Sequence, residues 1–184
     1  MGNRKTSRMA MDAVMVALCA VLGYLSPDLG FVKISLESLP ILVAALLLGP
    51  ADAMAVGAMG TFLCQFLRYG ITATTVLWML PYVVMGLVVG RYALQREFQL
   101  NRKQILFITI AAEILVSLMN TGVLYVDSRI YGYFSVIYVF GMLAVRIPLC
   151  AVKAAAFGAL LPGIVGSLRR GLHLWSKEDV NELQ

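Results

Sequence analysis

Six apolar segments run through the chain, at about 9–26, 38–50, 53–68, 74–92, 105–126 and 138–168. A helix that crosses a bilayer needs about 20 such residues, and most of the segments approach or exceed that length. Stretches 41–48 and 83–89 are continuously apolar. A transmembrane barrel would instead alternate apolar and polar residues, so the segments are expected to be helices. Of the 184 residues, 60% are hydrophobic and 14% charged, against roughly 45–50% and roughly 25% in soluble domains. A soluble fold this small could not hide so much apolar surface. The expected architecture is an all-α integral membrane protein, a six-transmembrane-helix bundle forming one membrane domain over 1–184, with 169–184 as a cytoplasmic tail. The second segment is short, because Pro40 suits its first turn and Gly49-Pro50 stops it. Residues 9–25 are long enough to remain as a span rather than be cleaved as a signal.

The fifteen Lys and Arg residues set the expected orientation. With the N-terminus inside, the inner segments hold ten: Arg4, Lys5, Arg8, Arg91, Arg96, Arg102, Lys103, Arg169, Arg170 and Lys177. The outer loops hold Lys33, Arg68 and Arg129, and the last span holds Arg146 and Lys153. Cytoplasmic loops are enriched in cations, so both termini are expected in the cytoplasm. The net charge of +5 then reflects topology, and no nucleic-acid partner is implied. Cys19, Cys64 and Cys150 show no CxxC spacing, so neither a disulfide framework nor a zinc site is expected.

Ionisable residues inside a membrane are costly and invite a functional reading. Asp12, Glu113, Arg146 and Lys153 fall within spans; Asp12 is near enough to the inner end to reach the interface. At 1.5 Å per residue, Glu113 is about 12 Å above the inner end of the fifth span and Lys153 about 20 Å below the outer end of the sixth. In a core about 30 Å thick these levels coincide, so the two are expected to pair. Arg146 is about 9 Å below the outer surface, level with Asn120. Glu37 and Asp127 in the outer loops could approach it. Arg146 and Lys153, seven apart, share a helix face, and a cationic face toward an outer cavity suits an anionic ligand. The alternative is that Arg146 snorkels to the headgroups. Trp78, Tyr69, Tyr125 and Tyr131 offer stacking faces for a flat heteroaromatic ligand, although an interfacial aromatic belt would use such residues equally well.

On the first span Ala10, Ala13, Ala17 and Ala20 follow one helical stripe. Small residues let helices approach closely in a membrane, so the stripe is either internal packing or a docking face. Enzymatic function finds no support. The only histidine, His173, is in the tail, and the chain has no HExxH and no Walker phosphate-binding sequence. No cofactor or metal is expected, and ATP-driven pumping would need an ATPase from another chain.

These residues together resemble the substrate-binding (S) components of energy-coupling factor (ECF) vitamin transporters, particularly the folate family. The likeness rests on the basic N-terminus followed by Ala13-xxx-Ala17 and on Lys33-Ile34-Ser35-Leu36-Glu37-Ser38-Leu39-Pro40 leading to Gly49-Pro50. It also rests on Asn120-Thr121 and on the last helix with Arg146 and Lys153. The resemblance implies a bacterial plasma-membrane bundle with an outer vitamin pocket closed by loops 27–37, 68–73 and 127–136. Lys33, Glu37, Arg68, Tyr69, Trp78, Asn120, Tyr125, Tyr131, Arg146 and Lys153 are then candidate ligand contacts. It also implies docking through the alanine face onto a transmembrane coupling subunit driven by two cytoplasmic ATPases. The segments beginning Arg68-Tyr69-Gly70 and Asp127-Ser128-Arg129 depart from the folate pattern, which leaves a queuosine precursor or pantothenate as alternative ligands. A reading of a different class, a non-transport membrane scaffold, would use the alanine face alone.

Overall fold

The computed structural model describes residues 2–27, 35–141 and 143–172; Lys33 lies outside them. The described chain is helical: α1 (Gly2–Leu25), α2 (Ser38–Leu47), α3 (Pro50–Tyr69), α4 (Thr75–Gln95), α5 (Arg102–Ile130) and α6 (Leu143–Leu172). A π-helical turn, Ile137–Gly141, precedes α6. Among the described residues, four helical stretches are long and apolar enough to cross a membrane: Thr6–Leu25, Thr75–Gln95, Arg102–Ile130 and Ile137–Arg170. The sequence suggested six such spans. α2 has only ten residues, and α3 carries Asp52, Gln65 and Arg68 along its length.

Local chemistry explains the boundaries. Pro40 occupies the first turn of α2, where a missing N–H costs nothing. Gly49 then turns the chain at φ 104°, a conformation that strains any residue with a Cβ, and Pro50 starts α3. A capping box between Asn101 and Gln104 opens α5. Apolar on every side, α2 is the centre of the bundle, packed against α1, α3, α4 and α6, with Ile41 to Leu48 all buried.

Successive helices run in opposite senses, so the bundle has two ends. At the terminal end, where α1 starts and α6 finishes, Arg8 pairs with Asp52 at 2.5 Å and donates to the Leu48 carbonyl. At the distal end, Arg68 on α3 donates to the Ser26 carbonyl just beyond α1, and Thr74 donates to Asp127 on α5.

α3 and α4 pack closely because glycine marks each crossing. A Cβ on Gly57 would meet the Tyr82 carbonyl oxygen at 2.9 Å, and one on Gly86 would meet the Ala53 backbone at 2.7 Å. α1 turns Met11, Met15, Val16 and Cys19 inward, while Ala10, Ala13 and Ala17 are exposed beside Val14 and Leu18. Ala20, expected on the same stripe, is only 6% exposed. At 100° per residue it sits about 80° around the helix from Ala10, at the edge of the stripe and against the bundle.

Candidate functional site

The distal half of the bundle encloses a cavity of about 430 Å³, within the usual range for small-molecule sites. It extends from the mouth, at Tyr69, Thr72 and Tyr131, down to Glu113 and Lys153. Segment 35–37, α3, α4, α5 and α6 all contribute to its wall.

The floor is an ion pair. Lys153 Nζ is 2.5 Å from Glu113 Oε2, with the side chains 12% and 1% exposed. This is the pair that the depth argument anticipated. Lys153 Nζ also donates to the Ser35 carbonyl at 3.2 Å and reaches Ser38 Oγ at 3.5 Å. One ammonium thus ties α6 to α5 and to the start of α2. Glu113 Oε1 is buried with no hydrogen-bond partner.

Glu37 forms one side of the cavity, buried at 4% exposure. The Tyr82 phenol donates to its Oε1, and the Cys64 thiol reaches Oε2 at 3.4 Å. Its close fit against α1 depends on Gly23, where a Cβ would collide with Glu37 Oε2 and Cys64 Sγ. Asp127 forms the upper wall. Thr74 and Tyr133 hydroxyls donate to its carboxylate, and the Trp78 indole N–H lies 3.4 Å from Oδ1. Burial first, and then this hydrogen bond, push the Tyr133 phenol above its ordinary pKa range, so Tyr133 remains a neutral donor.

Arg146 differs from these groups. It lines the cavity half-buried, and among the described residues no carboxylate lies within ion-pair distance of it. Glu37 and Asp127, which the sequence allowed as partners, are engaged by Tyr82, Cys64, Thr74 and Tyr133 instead. Nearby on the lining, Asn120 Oδ1 is buried and without a hydrogen-bond partner. The cavity therefore offers an unneutralised cation, a vacant acceptor, and the aromatic faces of Trp78, Tyr69 and Tyr131. That set accommodates a flat molecule bearing an anionic group and an N–H donor.

The structure brings together seven of the residues expected at the site: Glu37, Tyr69, Trp78, Asn120, Tyr131, Arg146 and Lys153. Two others lie elsewhere. Arg68 serves the C-terminal carbonyls of α1, donating to Gly23 O and Ser26 O, groups that a helix end leaves unsatisfied. Tyr125 is exposed and packs edge-on against Phe134 at 5.5 Å, with Arg129 5.5 Å from its ring. Sequence reasoning missed Thr74, Tyr82 and Ser35, and placed Asp127 in a loop. The polar run Asp127-Ser128-Arg129 looks like a turn, but α5 continues to Ile130 because Thr74 and Tyr133 satisfy the acid.

A family model described as "ECF transporter, substrate-specific component" matches residues 7–168. No curated protein matches the chain by sequence. Among solved structures, the fold is similar to the S-component for biotin from an ECF-type ABC transporter, with a TM-score of 0.67 at 18% identity. That alignment covers 89% of this chain and 93% of the other. At such identity the likeness is one of fold.

Proposed function

The chain belongs to the family of substrate-specific components of ECF transporters, and on that premise we propose that its distal cavity captures a carboxylate-bearing vitamin, folate or a related heteroaromatic acid. Arg146 carries this reading. It is the cation of the cavity that no protein carboxylate neutralises among the described residues, and its planar fork matches a carboxylate. Trp78, Tyr69 and Tyr131 supply ring faces, and Asn120 Oδ1 supplies an acceptor for a ring N–H. The family is one of transport components, not of enzymes.

Captured vitamin is released inward by a separate module: a transmembrane coupling subunit with two cytoplasmic ATPases. All six helices are then embedded in a bacterial plasma membrane. The ten cations at one side of the charge pattern hold both termini in the cytoplasm, and the cavity faces outward.

The direct test is calorimetry on the purified chain, without ATP, against folate, biotin, pantothenate and a queuosine precursor. Tight binding of one carboxylate vitamin is expected. Silence across the panel would remove the reading. With the vitamin in hand, Arg146→Gln should weaken binding roughly 10–100-fold, the worth of one charge-assisted contact, with helicity unchanged. Unaltered affinity would show that the carboxylate binds elsewhere.

Docking onto the coupling subunit uses the exposed alanine face of α1, centred on Ala13 and Ala17 with Ala10 at one edge and the covered Ala20 at the other. Ala13→Leu should leave vitamin affinity unchanged and abolish uptake by the assembled transporter, because a bulky side chain separates the helices. Normal uptake by that variant would refute the docking face.

A further inference from the structure

A second cavity, of about 150 Å³, lies at the terminal end of the bundle and shares no lining residue with the first. It is bounded by the end of α2, the α4–α5 turn, the first turn of α5 and the last turns of α6. Leu46, Phe98, Ile105 and Val165 give it apolar walls, and its charged groups are Arg102 and Arg169.

The α4–α5 turn shapes one side. Glu97 and Phe98 both have positive φ, 50° and 57°, so the chain doubles back. The Phe98 ring is buried at 1% exposure, and its carbonyl faces α6. Arg169 Nη2 donates to that carbonyl. The contact occupies one arm of the guanidinium with a neutral acceptor. Nε of the same group is buried and has no hydrogen-bond partner. Among the described residues no carboxylate pairs with Arg102 or Arg169. Arg169 is half-buried, and a partly buried guanidinium with a shielded, unpartnered N–H is favoured by an anion that meets it.

The chemistry that answers this site is an oxyanion that can be gripped by two guanidinium groups. The apolar walls suit an anion carried on an apolar body. Both α5 and α6 qualify as membrane spans, so their terminal ends lie at headgroup level. We propose that this cavity is a phosphate-binding site in which Arg102 and Arg169 hold the phosphate between α5 and α6. A phospholipid headgroup and free phosphate present the same group, and the experiment separates them.

Purified protein in non-ionic detergent would be mixed with phosphatidylglycerol, or with diacylglycerol of the same acyl chains, and bound lipid counted by native mass spectrometry. Phosphatidylglycerol should bind at least about tenfold better, the worth of one charge-assisted contact. Two variants test the placement. Arg102 is exposed, so Arg102→Gln should leave the fold intact and reduce binding about tenfold. Gly166 lines the cavity, and a Cβ there meets nothing within 4 Å. Gly166→Leu therefore fills the hole without touching a charge, and should also reduce binding. Neither variant should change vitamin affinity, which depends on the other cavity. Displacement of the lipid by millimolar inorganic phosphate would assign the site to soluble phosphate, and retention would assign it to the headgroup. Equal binding of the two lipids, or wild-type binding by both variants, would overturn the proposal.

Discussion

Lys153→Met is expected to destabilise the folded bundle by about 3–5 kcal/mol, the cost of leaving a buried charge without its partner. Glu113 is 1% exposed, and Lys153 is the cation beside it. With Lys153 gone, the carboxylate loses its counter-ion at the floor of the cavity. The Ser35 carbonyl and Ser38 hydroxyl also lose a donor, so the start of α2 is released from α6. Glu113→Leu with Lys153→Met removes both charges and should recover much of the loss, since an apolar pair of similar volume replaces a buried ion pair without great penalty. The measurement is the thermal unfolding midpoint in detergent for wild type, both single variants and the double. A double variant as unstable as the sum of the singles would mean that the two residues do not act as a pair.

Gly86→Leu is expected to leave little folded protein, a loss above about 4 kcal/mol. A Cβ at Gly86 would sit 2.7 Å from the carbonyl carbon and oxygen of Ala53 and 3.0 Å from the amide of Met54. Those neighbours are backbone, so no rotamer change relieves the overlap, and α3 must move away from α4. Moving it would also disturb Gly90, which lies against the backbone of Pro50. Gly163→Ala is the control, because a Cβ there meets nothing within 4 Å and alanine favours the helix. Size-exclusion profiles and helicity in detergent would show aggregation for Gly86→Leu and wild-type behaviour for the control. A monodisperse Gly86→Leu protein with an unshifted midpoint would contradict the close packing of α3 on α4.

Among the described residues the helices were legible as apolar segments, because hydropathy, prolines and glycines act locally. Gly49-Pro50 ends one helix and starts another in the sequence and in the structure alike. The role of α2 was not legible. A helix apolar on every side suits lipid and protein interior equally, and only the surrounding helices reveal that it is the core. The same division runs through the site. Glu113 and Lys153 could be matched in advance because level along a helix follows from residue count. Arg68 and Tyr125 do not line the cavity, and level along a helix says nothing of direction: Arg68 donates to the end of α1, and Tyr125 packs against Phe134. Thr74 and Tyr82 carry no charge and no spacing signal. They matter because α4 packs where each can donate to a buried acid.

Sequence alone determined that this chain is built of apolar helices suited to a bilayer, where Gly49-Pro50 divides two of them, and that Glu113 and Lys153 share a level. These follow from composition and from a constant rise per residue. Only the tertiary structure decided which face of each helix turns inward. That choice left Arg146 without a counter-ion among the described residues while Glu113, Glu37 and Asp127 were each engaged. Helix rotation is set by close contacts between distant segments, such as Gly23 against Glu37 and Gly86 against Ala53, and no local property of the sequence contains it.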